Sequence, residues 1–137
     1  MTEIDRRLDE WQPYVLSVLR IIAALLLIQH GLVKMFSFPQ AFPRPVEQFS
    51  MLWFAASIEI IGGLFLLIGL FSRWTAFILS GLLAFAYFIG HAPRGFYPIV
   101  NGGSLAILYC FVFLYIFVAG PGPWSVDALR GRTTVRA

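Results

Sequence analysis

Four long apolar stretches divide this chain, and each is long enough that lipid, not a soluble core, is its natural surrounding. They cover about residues 14–36, 51–71, 74–90 and 104–119. The first is interrupted only by Arg20, Gln29, His30 and Lys34; the second has Glu59 as its single charge, and the third has none. Each is near the ~20 residues that cross ~30 Å of hydrocarbon. The last two are shorter, so they borrow flanking residues or sit in a locally thinner bilayer. Gly120-Pro121-Gly122-Pro123 closes the fourth, because no helix continues through that sequence.

Composition supports the same conclusion. The chain is 59% hydrophobic and 12% charged, against roughly 45–50% and about 25% in soluble domains. A soluble fold of 137 residues could not hide that much apolar surface. The expected fold is therefore all-α, an integral membrane four-helix bundle forming a single transmembrane domain over residues 1–137. Its first partner is the lipid bilayer. The third stretch starts at the very tight connection Phe71-Ser72-Arg73-Trp74. A re-entrant hairpin is one way to read that connection, but an arginine beside two aromatics also makes an ordinary interfacial turn.

The leading segment MTEIDRRLDEWQP mixes acids and bases, and no small-residue cleavage site follows the first apolar run. The first helix is therefore expected to be retained. Neither end shows a prenylation box or a lipoprotein-type cysteine. An even number of spans puts both termini on one face. That face would carry Arg6, Arg7, Arg20, Arg73, Arg130, Arg132 and Arg136, seven against Lys34, Arg44 and Arg94 on the other. The positive-inside rule then places both termini in the cytoplasm, with the protein in the inner membrane. The two outer loops, residues 37–50 and 91–103, are rich in Pro and aromatics and are expected to lie along the interface.

Ionisable groups inside hydrocarbon cost several kcal/mol on insertion scales and call for a reason. Counting from the cytoplasmic helix ends, Arg20 lies about 10 Å in, Glu59 about 18 Å, and His30 and His91 both about 25 Å. Lys34 falls at the outer rim. His30 and Lys34 are four residues apart and share a face, and Arg20 lies close to the same stripe. Ala55, Glu59, Gly62 and Gly63 share a face of the second helix, where small residues admit a close neighbour. Glu59 is thus expected to point into the bundle. It can be a structural acceptor for Arg20 or Gln29, or be protonated, or handle protons or anchor a ligand. Glu59, His30 and His91 are acceptable metal ligands by type, but no HxxxH or HExxH spacing supports a metal.

Several function classes have no support. Cys110 is the single cysteine, so no internal disulfide or CxxC pair exists, and it reads as a small buried hydrophobe. No P-loop, nucleophile elbow or GxGxxG fingerprint is present. The basic residues are scattered and form no nucleic-acid stripe. The aromatics Phe111, Phe113, Tyr115 and Phe117 read as ordinary core or lipid-facing material.

The order of motifs over roughly residues 20–130 resembles the DoxX family of small bacterial membrane proteins. Arg20 and His30-Gly31-Leu32-Val33-Lys34 resemble its first-helix pattern. Glu59 through Leu70, with Gly62, Gly63 and Gly69, then Arg73 and Ala76, resemble its second-helix signature. Asn101-Gly102-Gly103 and the segment from Gly120 to Asp127 are similar to its closing motifs. Many members carry an acid shortly after Asn-Gly-Gly, where this chain has Ser104. The resemblance implies a four-helix bundle and a link to membrane redox processes, because relatives occur in quinone-reducing thiosulfate oxidation systems.

Three functions follow as expectations. The first is a quinone-interacting accessory subunit working with membrane redox partner proteins. Its polar site would be lined by Glu59, Arg20, His30 and Lys34, with His91 and Asn101 near it. The second is a non-catalytic membrane scaffold. The third is a small-molecule transport component, for which a homodimer would supply the missing half.

Overall fold

A computed structural model of the protein describes residues 1–135, with side chains through Gly131. Arg136 lies outside the described residues, and Arg132 is described by its backbone alone. Among the described residues every regular element is helical. Helix α1 spans Glu3–Phe36, α2 Met51–Ile68, α3 Ser72–Ala86, α4 Pro98–Asn101, α5 Ser104–Ala119 and α6 Val126–Val135. The chain is a helical membrane bundle of the class expected.

Local chemistry explains where the helices begin and end. Thr2 and Asp5 form a reciprocal capping box at the start of α1, with Asp5 Oδ2 2.6 Å from the Thr2 N–H. The helix therefore starts at Glu3, eleven residues before the apolar run at residue 14. Ser50 caps α2 through the Trp53 N–H. Gly69 ends α2 in the left-handed region at φ 73°, and the Leu70 N–H turns back to the Phe65 carbonyl. That stop falls three residues short of the boundary at 71 expected from hydropathy alone.

The third segment does not reverse. It runs as α3 to Ala86, widens through a π turn at Tyr87–His91 and tightens into a 3-10 turn at Ala92–Arg94. Together Ser72–Arg94 gives 23 helical residues, long and apolar enough to cross a membrane. The hairpin alternative is thereby replaced by a continuous helix. Helices α1 and α2 meet the same criterion, while α5 is a shorter apolar helix of 16 residues.

Two antiparallel pairs, α1 with α2 and α3 with α5, make most of the bundle, and α2 and α3 join them. Small residues set the spacing of the first pair. A Cβ on Gly31 would lie 2.6 Å from Ile60 Cγ1 and 3.0 Å from the Ala56 carbonyl oxygen. Backbones approach that closely only where the side chain is a hydrogen. The common core holds Ala24, Leu27, Leu66, Leu79, Phe113 and Ile116. Phe111 and Tyr115 face outward while Phe113 is fully buried, as expected for ordinary membrane-helix aromatics.

The end of the bundle that carries the termini is tied together by polar contacts. The fully buried Arg20 guanidinium donates to the carbonyls of Pro121 and Trp124. Ser17 Oγ accepts the Trp124 N–H at 3.2 Å. Gly122, at φ 77°, passes so close to Ser17 and Pro13 that no side chain fits there. The Asp127 carboxylate accepts the N–H groups of Phe71 and Ser72 at 2.9 and 2.8 Å, capping α3 from 55 residues away. Arg73 in turn donates to the carbonyls of Phe117 and Val118 at the end of α5.

A polar pair in an apolar cavity

At the opposite end, a cavity of about 420 Å³ lies between α1, α2, α3 and α5. Its wall is mostly aliphatic and aromatic: Leu27 from α1, Ala55 from α2, Leu82 and Leu83 from α3, Leu105 and Tyr109 from α5. Phe42 and Arg44 from the 37–50 loop, with His91 and Arg94 from the end of the third segment, also line it.

Glu59 is the acid in this wall. Its side chain is 3% exposed, and Oε1 accepts a bond of 2.6 Å from Lys34 Nζ. The other carboxylate oxygen, Oε2, is buried without a partner among the described residues. An acceptor left unpaired in low dielectric is costly, and Glu59 also faces the cavity. Lys34 reaches Glu59 from the last turn of α1 by its four-carbon stem, with 19% of its side chain exposed.

The six residues singled out from the sequence fall into three groups. Glu59, Lys34, His30 and His91 line the cavity. His30 sets its ring edge-on against Tyr109, with centroids 6.1 Å apart. His91 stacks on Tyr87, and its Nδ1 lies 3.1 Å from the Asn101 carbonyl oxygen.

Asn101 is almost fully buried behind the wall. It bonds the Gly95 carbonyl at 2.9 Å, the Tyr87 hydroxyl at 3.3 Å and the Gly103 N–H at 2.8 Å. Its place is structural support for the 95–103 loop. Arg20 does not join the site either. It shares the α1 stripe with Lys34, but their separation of fourteen positions spans about 21 Å of helix axis. The partner of Glu59 is accordingly Lys34, not Arg20 or Gln29.

Besides Arg44 and Arg94, Tyr109 is a polar cavity residue that sequence reasoning missed. The only signal for it was a hydroxyl-bearing ring in an apolar helix, four residues before the buried Phe113 on which it stacks. Among the described residues no three His, Cys, Asp or Glu side chains converge.

Fold and site together define a small polytopic membrane protein with a buried acid–base pair in an apolar, ligand-sized cavity. The chain belongs to the DoxX family, whose sequence profile matches residues 15–92. That match takes in most of α1, all of α2 and α3, and the Glu59–Lys34 pair. A Haemophilus influenzae protein described as uncharacterized is 43% identical over 125 residues, covering 88% of this chain and 93% of the relative. A second uncharacterized protein of the same organism is 31% identical over 75 residues, 55% of this chain and 50% of the relative. No solved structure matches the chain.

Proposed function

We propose that the cavity receives the head group of a membrane quinone and that the protein is an accessory, quinone-interacting subunit of a membrane redox system. The observation that carries this reading is Glu59, a carboxyl in the wall of an apolar cavity whose buried Oε2 has no hydrogen-bond partner among the described residues. A quinol hydroxyl is a donor of the right kind, and an O–H···O⁻ bond to a desolvated carboxylate is among the stronger hydrogen bonds. Lys34 holds the carboxylate by its other oxygen. His30 and Tyr109 offer polar groups toward the remaining head-group oxygen, while the aliphatic wall accepts the ring and the start of the tail. At about 420 Å³ the cavity falls within the usual range for small-molecule sites.

In this reading the protein sits in the inner membrane with both termini in the cytoplasm. The distribution of the described basic residues supports that: Arg6, Arg7, Arg20, Arg73 and Arg130 lie toward one end, Lys34, Arg44 and Arg94 toward the other. The outward apolar faces of the bundle are where a redox partner protein would bind.

The test is organic extraction and mass spectrometry of protein purified from native membranes. Wild type is expected to retain quinone near stoichiometrically, and Glu59→Gln to lose it while keeping its melting transition. Equal retention by both proteins would overturn the proposal. Absence of quinone from both, with other proteins copurifying, would favour the scaffold instead.

A further inference from the structure

Four charged side chains line the cavity: Lys34, Arg44 and Arg94 against the single acid Glu59. Three cations and one acid leave a net charge of +2 in a wall that is otherwise mostly apolar. Lys34 and Glu59 offset one another through their 2.6 Å contact. The surplus therefore belongs to Arg44 and Arg94. Among the described residues neither guanidinium has a hydrogen bond or an ion pair. Glu47, on the same loop as Arg44, is exposed and stands outside the cavity wall.

Both arginines are carried by stiff backbone. Arg44 lies between Pro43 and Pro45, and the proline that follows narrows its own backbone choices. Arg94 ends the 3-10 turn, and the next residue is anchored on both sides. The Gly95 N–H donates to the Ala92 carbonyl at 3.2 Å, and the Gly95 carbonyl accepts from Asn101 Nδ2 at 2.9 Å. Both side chains are exposed and also line the cavity, so they stand at its mouth.

Their level in the bilayer decides what meets them. The helical run Ser72–Arg94 has 23 residues, about 34 Å at the usual rise. Hydrocarbon takes up about 30 Å of that, which puts Arg94 among the phosphates of the adjoining leaflet. Phe42, Met51, Phe85 and Ile89 line the cavity alongside, a surface suited to an acyl chain and not to a hydrated free ion. A planar guanidinium pairs with phosphate through two parallel N–H···O bonds. A zwitterionic head group would bring its own ammonium against the surplus positive charge, whereas an acidic head group brings none.

We propose that Arg44 and Arg94 bind the head-group phosphate of an acidic phospholipid at the cavity mouth, with an acyl chain along the apolar wall. The site is separate from the buried Oε2 of Glu59 and does not depend on what bonds there.

Native mass spectrometry tests this on the full chain, purified in mild detergent and offered phosphatidylglycerol or phosphatidylcholine. Wild type is expected to retain roughly tenfold more phosphatidylglycerol. The Arg44→Gln, Arg94→Gln double variant is expected to retain the two lipids equally while keeping its melting transition. The Arg6→Gln, Arg7→Gln double variant removes as much charge from the far end and should behave like wild type. Equal retention of both lipids by wild type, an unchanged preference in the Arg44, Arg94 variant, or the same loss in both double variants would overturn the proposal. Inorganic phosphate that displaces the lipid at equal concentration would overturn it too, since the site would then be one for a free anion. Glu59→Gln is expected to keep the phospholipid, so a failure here is distinguishable from a failure of the quinone reading.

Discussion

Glu59 is bonded through one oxygen and unpaired at the other, and that asymmetry sets what the residue can do. Lys34 fixes the carboxylate in position and offsets part of the cost of burying it. Removing Lys34 alone leaves a buried carboxylate with neither oxygen bonded. Lys34→Met is expected to destabilise the bundle by roughly 3–5 kcal/mol, the cost of leaving a buried charge without its partner. Adding Glu59→Gln should recover part of that loss, because the uncompensated charge is then gone. Equilibrium unfolding in mixed micelles, run on both variants, measures the difference. The inward direction of Glu59 was legible in the sequence, as a lone charge beside Gly62 and Gly63. Its partner was not, because helix spacing gives depth along one helix but not which long side chain bends to meet it from the next. The same gap explains Arg20: the stripe was read correctly, but a shared stripe about 21 Å long is not a shared site.

At the scale of elements, the two ends of the bundle do different work. The end bearing the termini is locked by Arg20, Arg73 and Asp127, each satisfying backbone groups of a distant segment. The opposite end holds the cavity, with Phe42 and Arg44 of the 37–50 loop in its wall. Arg20→Met should therefore release the segment from Gly120 onward while leaving the cavity intact. Each lost charged hydrogen bond is worth roughly 1.5–3 kcal/mol. Limited proteolysis should show faster cleavage after Trp124, and quinone retention should stay at the wild-type level. Loss of quinone in this variant would tie the two ends together and contradict their separation. Hydropathy located the four apolar helices well, since that signal is local. It missed the Asp127 cap on α3 and the extension of that helix to Arg94, because both depend on contacts or turns that no local window contains.

For the whole molecule, the charge distribution and the helix count together predict an orientation. A membrane-impermeant maleimide should label Arg44→Cys in intact spheroplasts and should reach Thr2→Cys only after the membrane is opened. The reverse pattern would invert the topology and place the cavity mouth on the cytoplasmic side. The cavity with its ion pair at one end, and the Arg20, Arg73 and Asp127 contacts at the other, describe a bundle whose two ends are built differently. The all-helical class followed from composition and run length. The site followed only in outline, since four of its residues were in view while Tyr109 and the Lys34 contact depended on packing.

The most direct measurement is photo-crosslinking of the native membrane protein with a photoreactive quinone analogue, followed by peptide mass spectrometry. The account predicts label on peptides carrying residues 27–34 and 52–59, competed away by unmodified quinone and absent from Glu59→Gln. Label spread over the lipid-facing surface, or label that survives in Glu59→Gln, would contradict it.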